Sequence, residues 1–172
     1  MGAYEFTTSE MPQGIQDCVR NSVKSTFNIM FGSEPVFSDD VVDKKVGDGV
    51  VGIISFVGDI TWLLMLALPK SSAKKVVSKF CGFDIDYDSP DMGDVVGELA
   101  NVLAGDIVAR LAADGVKVAM SLPTIMRGHD VEPLVPRGLP SQKMYFSLPE
   151  GEMVLKVAAS KPGEPMGRRP GV

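Results

Sequence analysis

Apolar residues recur at helical spacing in two long stretches. In Met11–Phe31, MPQGIQDCVRNSVKSTFNIMF, residues Ile15, Val19, Val23, Phe27 and Met30 share one face, and Gly32 ends the helix. The second stretch, Gly93–Leu111, reads GDVVGELANVLAGDIVARL. Val95, Leu99, Val102, Leu103, Ile107 and Leu111 can face a core, yet Gly97, Asn101 and Gly105 occupy interior positions. Each glycine costs about 1 kcal/mol relative to Ala, and Asn is also a poor helix former, so this helix carries residues that its own stability does not ask for. Between the two helices, Gly49–Pro69 reads GVVGIISFVGDITWLLMLALP. It is nearly long enough to cross a bilayer, but Asp59 would be costly at its centre and Gly58-Asp59 is a hairpin turn signal. Two buried strands joined by a tight turn are expected.

The remaining segments follow the same logic. Val36–Val46 is a weaker, more polar strand. Lys70–Phe80, KSSAKKVVSKF, is a short helix with Ser71 or Ser72 as N-cap and Cys81-Gly82 as its stop. The acidic loop DIDYDSPDMGD leads into the second long helix, and Val116–Ser121 then alternates as a strand does. Leu122–Ser141, with Pro123, Pro133, Pro136 and Pro140, reads as mostly loop. Lys143–Leu148 and Met153–Ala159 form a second hairpin around PEGE, and the tail KPGEPMGRRPGV has the composition of disorder.

The order repeats: helix, strand, hairpin, then helix, strand, hairpin. Setting Met11 against Met92 aligns the long helices without a gap, placing Ile15 on Val96, Val19 on Ala100, Thr26 on Ile107 and Phe27 on Val108. Two copies of an α-β-β-β unit are expected, giving an α+β fold with a six-stranded, mainly antiparallel sheet and two long helices packed on one face. Residues 1–160 form one domain and residues 161–172 a disordered tail.

Composition narrows the function. The chain has 172 residues, 45% apolar and 23% charged, with a net charge of −5 and no basic run. That argues against nucleic acid or an anionic membrane surface as partner. Cys18 and Cys81 lack metal-ligand spacing and read as buried thiols of a reducing compartment. The start MGAYEFTTSE shows no signal peptide, so a cytoplasmic protein is expected. The single histidine, His129, rules out a multi-His metal site and reads as a surface residue. The segments GVVG, GDGV and GHD do not open a helix with phosphate-loop spacing.

Within the second helix, Asp94, Glu98, Asn101 and Gly105 stand at i, i+4, i+7 and i+11 and so share one stripe. Glu98 and Asn101 can project together, and Gly105 leaves room for something to approach the backbone. The bland alternatives are a solvated helix face for Glu98 and Asn101, a first-turn charge favouring the helix dipole for Asp94, and close packing of the two long helices for Gly97 and Gly105.

The pattern D-x-x-x-E-L-x-N-x-x-x-G, on a helix in a duplicated α-β-β-β frame, resembles the CheC/CheX/FliY family of chemotaxis phosphatases over about Gln13–Ala159. The single intact motif looks most like CheX. The resemblance implies a phosphatase acting on the aspartyl phosphate of a CheY-type response regulator. Glu98 would bind and orient the receiver domain, through its active-site lysine, and Asn101 would position the attacking water. Asp94 and Gly105 would lie in the partner-binding surface. No cofactor or metal would be held by this chain, because the receiver supplies its own Mg²⁺. In the first helix Asp17 falls on Glu98 and Arg20 on Asn101. Arg has no acceptor and cannot replace the amide, so copy one is not expected to be a site.

Two other readings stand beside the enzyme: a non-enzymatic adaptor for a receiver or flagellar switch protein, and an orphan signalling domain with another ligand. Because the strands around Gly58-Asp59 are apolar on both alternating faces, a homodimer built through the sheet is also expected.

Overall fold

The computed structural model describes residues 2–6, 10–38, 45–132, 134–135 and 138–160. The expected tail, residues 161–172, and most of the C-terminal half of the Val36–Val46 segment lie outside the described residues. Among the described residues a short 3-10 helix (Gly2–Tyr4) precedes three α-helices and seven strands: α1 (Gln13–Phe31), β1 (Val36–Ser38), β2 (Gly47–Gly58), β3 (Thr61–Pro69), α2 (Lys70–Cys81), α3 (Pro90–Ala113), β4 (Val118–Met120), β5 (Thr124–Val131), β6 (Ser141–Leu148) and β7 (Gly151–Ser160). Every strand pair is antiparallel, in the order β1-β6-β7-β3-β2-β4, with β5 also on β2.

This order carries the mark of a duplication. The first strand of copy one, β1, lies beside β6 of copy two, and β4 and β5 of copy two lie beside β2 of copy one. The last strands of the two copies, β3 and β7, meet in the centre. The seventh strand is an addition to the six expected from sequence. Part of the Leu122–Ser141 segment, read as mostly loop, is β5. Prolines argued for a loop, but an edge strand tolerates Pro where the ladder is interrupted, and Pro123 sits at that interruption, between β4 and β5.

Alternation along β2 and β3 explains why Gly49–Pro69 is apolar throughout. Val50, Ile54 and Phe56, with Trp62, Leu64, Leu66 and Leu68, enter one core with the helices. Phe56 stacks on Trp62 with ring centres 4.1 Å apart. Val51, Met65, Ala67 and Val154 form a second cluster on the sheet's other face, against which Val131 and Val135 pack. The hairpin at Gly58-Asp59 forms as expected, and its turn is pinned to the α3–β4 connection. Asp59 N–H donates to Lys117 O at 2.9 Å, and Lys117 N–H donates to the Asp59 carboxylate at 2.8 Å. No described helix is long and apolar enough to cross a membrane.

The short helix α2 starts differently from the sequence reading. Its N-cap is Pro69, with no side-chain cap. The Ser72 hydroxyl instead donates within bonding distance of Pro69 O (3.1 Å) and Glu152 O (2.6 Å), tying the helix to β7. A helix start packed on a sheet can use its hydroxyl for a tertiary bond because Pro at the cap removes one donor that would need a partner.

Candidate functional site on the outward face of α3

The helix that carries the motif is well delimited. Ser89 accepts a hydrogen bond from Asp91 N–H at 3.2 Å, Pro90 opens the first turn, and Asp91 and Arg110 sit at the ends that the helix dipole favours for their charges. The helix therefore begins inside the acidic segment DIDYDSPDMGD, three residues before Gly93. Met92, Val96, Leu99, Ala100, Leu103, Ala104, Ile107 and Leu111 are buried, which fixes the azimuth of the helix on the sheet and against α1.

That azimuth leaves Asp94 and Glu98 exposed, with Asn101 and Gly105 half-buried. The four predicted residues therefore do share the outward side. Val102 joins them at 37% exposure, although the sequence reading allowed it a place in the core. It stands only about 40° from Glu98 around the helix, and Leu99 and Leu103 take the core positions. Among the described residues, the side chains of Asp94, Glu98 and Asn101 make no hydrogen bond or ion pair. An acidic side chain and an amide thus stand one turn apart with their bonding capacity uncommitted. Arg110, further along, is tied to Asp106 at 2.6 Å.

The two interior glycines have separate explanations. A Cβ on Gly97 would stand 2.8 Å from Ile125 Cδ1 and 3.5 Å from Pro123 Cγ, so Gly97 admits the edge strand. The close approach is to β5, and not to the other long helix. A Cβ on Gly105 would meet nothing within 4 Å. Its missing side chain leaves open surface one turn beyond Asn101.

The matching face of α1 is used within the chain. Asp17 accepts a hydrogen bond from Gln13 Nε2 at 2.8 Å, and the Arg20 guanidinium lies 4.4 Å from the centre of the Phe37 ring. The N-terminal segment packs onto the same helix: Ala3 O would be 2.6 Å from a Cβ on Gly14, and the Tyr4 hydroxyl donates to the Asp114 carboxylate. Burial and that carboxylate push the Tyr4 phenol well above its usual range.

His129 is exposed, as expected, but it has a partner that only the sheet brings close. Its Nδ1 is 3.0 Å from Asp48 on β2, and this contact holds the Asp48 carboxyl below the usual carboxylate range. Among the described residues no group of three or more His, Cys, Asp and Glu could hold a metal ion.

Residues 50–147, more than half of the chain, match the family model described as chemotaxis phosphatase CheX. The chain belongs to the CheX family. It is similar to the CheY-P phosphatase CheX of Thermotoga maritima, with 28% identity over 126 residues, covering 71% of this chain and 81% of the relative. Among solved structures, a chemotaxis protein CheX from Vibrio vulnificus aligns with a TM-score of 0.76 at 18% identity, over 86% of this chain and 99% of the other. CheX in a CheX–CheY–BeF3–Mg²⁺ complex from Borrelia burgdorferi aligns with a TM-score of 0.72 at 20% identity, over 86% and 98%. At those identities the structural likeness speaks for the CheX fold, an open antiparallel sheet with its helices on one face.

Proposed function

We propose that this CheX-family chain accelerates hydrolysis of the aspartyl phosphate of a CheY-type receiver domain, with Glu98 and Asn101 as the residues that enter the receiver's site. The observation that carries the reading is the pair itself: an uncommitted carboxylate and amide, one turn apart, on the exposed side of a rigidly packed helix. Family membership and the relative named CheY-P phosphatase supply the reaction class. A receiver partner is consistent with the neighbour bound to CheY, BeF3 and Mg²⁺.

The chemistry asks little of this chain. An aspartyl phosphate is an activated acyl phosphate, and in this reading the receiver holds the Mg²⁺ that neutralises developing charge. The phosphatase places a water in line with the leaving oxygen. An amide suits that task, because it donates and accepts hydrogen bonds without titrating near neutral pH. The Glu98 carboxylate makes a charge-assisted contact to a receiver lysine and fixes orientation. Asp94 adds negative charge one turn earlier, and Gly105 lets the receiver approach the helix backbone. A gain of about tenfold to a hundredfold requires about 1.4 to 2.8 kcal/mol of transition-state stabilisation, within the range of one well-placed side chain. Hydrolysis takes place within the cytoplasm, where receivers act, and no covalent intermediate forms on this chain.

The adaptor alternative differs in one measurable respect. An adaptor would bind the receiver without shortening the life of its phosphate. Loss of phosphate from a purified phosphorylated receiver, followed with and without this protein, separates the two. Glu98→Ala is expected to weaken both complex formation and turnover. A Glu98→Ala protein with unchanged turnover and binding would remove Glu98 from the proposed site.

A further inference from the structure

The edge strand beside α3 is interrupted between β4 and β5, and the interruption presents an apolar side chain to solvent. β4 and β5 behave as halves of one strand laid against β2. Met120 pairs with Phe56, Ser121 N–H donates to Ser55 O at 2.8 Å, and Thr124 pairs with Ile53. Between these pairs Ile54 on β2 stands opposite two residues, Leu122 and Pro123, which is the count of a β-bulge. Pro123 has no N–H to give the ladder and packs inward, its Cγ 3.5 Å from where a Cβ on Gly97 would be. Leu122 is left 86% exposed.

This exposure is built, and the backbone that carries Leu122 is held on both sides. The Ser121 hydroxyl donates to Leu122 O at 2.8 Å and accepts from Ser55 N–H at 3.0 Å. Pro123 restricts the backbone on the other side. A side chain presented from a fixed backbone loses less freedom when a partner covers it, so more of its burial energy reaches affinity. A single exposed leucine is ordinary on a protein surface. What sets Leu122 apart is its neighbour. Pro123 touches α3 at Gly97, and Asn101 lies one turn further along the helix on nearly the same side. Val102 adds partly exposed apolar surface next to Asn101.

We propose that Leu122 is a receiver-contacting residue that sets affinity: when Glu98 and Asn101 enter the phosphorylation site, Leu122 packs on apolar receiver surface beside it. The inference rests on the reading of α3 as the receiver-facing helix, and it adds the bulge as a second, apolar anchor. Leu122 takes no part in positioning water, so its removal acts on binding and leaves the chemical step alone.

The test compares Leu122→Ala and Leu122→Asp with Leu134→Ala. Leu134 is a similarly exposed leucine at 75%, flanked by Val131 and Val135, which pack on the opposite face of the sheet. Two quantities are read on the full chain: KM and kcat for loss of phosphate from a receiver that the parent dephosphorylates, and Kd for that receiver loaded with Mg²⁺ and BeF3⁻. Leu122→Ala is expected to raise KM and Kd about tenfold, equivalent to about 1.4 kcal/mol. Leu122→Asp raises them further, kcat stays within about twofold, and Leu134→Ala changes neither. Unchanged KM and Kd in both Leu122 variants overturn the inference while leaving the phosphatase reading intact. So does an equal effect from Leu134→Ala. Conversely, a receiver that binds with Leu122-dependent affinity but is not dephosphorylated refutes the phosphatase and keeps the contact. A parent that binds no receiver removes both.

Discussion

Replacing Gly105 by Ala tests the helix and the docking surface together. Gly105 is an interior residue of α3, and a Cβ added there meets nothing within 4 Å. The substitution therefore brings the helix preference of Ala, about 0.8 to 1 kcal/mol, with no steric term against it. For a chain of this size that is a rise in Tm of about 2 to 4 °C, readable by calorimetry or by circular dichroism. Gly97→Ala has the same propensity gain but a different surrounding. Its Cβ would lie 2.8 Å from Ile125 Cδ1 and 3.3 Å from Ile125 Cγ1, with Pro123 Cγ at 3.5 Å. Pro123 Cγ is at ordinary contact distance and the terminal Cδ1 can swing away, whereas Cγ1 yields only if the edge strand shifts. Overpacking of this kind costs about 1 to 3 kcal/mol, for a net loss of about 0 to 2 kcal/mol. The two glycines, two turns apart in one helix, are thus expected to move stability in opposite directions. In the activity assay the stabilised Gly105→Ala protein should be slower at low receiver concentration, because the new methyl stands where the receiver approaches. A Gly97→Ala protein stabilised as much as Gly105→Ala would refute the packing argument. A Gly105→Ala protein with the parent's KM would remove Gly105 from the docking surface.

Three further outcomes follow from the same structure. Asp17→Ala with Arg20→Ala should leave turnover within about twofold and lower stability by no more than about 1 kcal/mol, the scale of an exposed cation–π contact such as Arg20 over Phe37. A loss of turnover like that of a motif variant would make α1 a working surface. Burial pushes the Cys18 thiol up to about 11, so the folded state is penalised once the unfolded thiol ionises near pH 9; the stability carried by the neutral thiol is lost as pH rises from about 9 to 11, by about 2 to 3 kcal/mol. Urea melts of parent and Cys18→Ala at pH 8 and 10.5 measure it, and equal pH dependence of the two proteins would contradict the assignment. A homodimer is expected to use the outer sheet face near Val57 and Met126, which are 62% and 52% exposed, because β1 is only three residues long and the other edge is broken at Pro123. Light scattering at micromolar concentration should give twice the 18.4 kDa chain mass, and a monomer mass throughout would defeat it.

The parts of this fold written in local periodicity were legible. The long helices α1 and α3, the Gly58-Asp59 hairpin and the β6–β7 hairpin each follow from spacing and turn chemistry within about twenty residues. β5 was not, because its prolines signal a loop and only the pairing with β2 makes Thr124–Val131 a strand. The stripe of Asp94, Glu98, Asn101 and Gly105 could be read from i, i+4, i+7 spacing alone, since helical geometry fixes relative azimuth. Absolute azimuth needs the core, and this is why Val102 was placed inward. The place of the Leu122 bulge in the fold could not be read. Its position beside Gly97 depends on contact between elements far apart in the chain, although Ser-Leu-Pro after an alternating strand is the local signal of a strand interruption. The Ser72 bond to Glu152 O belongs to the same class of long-range contacts.

The central claim is that Asn101 positions the attacking water in a receiver's phosphorylation site. The most direct measurement is the rate of phosphate loss from a phosphorylated receiver with the parent and with Asn101→Ala, alongside the Kd of each for the receiver loaded with Mg²⁺ and BeF3⁻. Ala is the better helix former, so Asn101→Ala should fold and bind with Kd within about threefold of the parent. Its acceleration should fall at least tenfold, the about 1.4 kcal/mol assigned to the amide. An Asn101→Ala protein that dephosphorylates the receiver as fast as the parent would contradict the account.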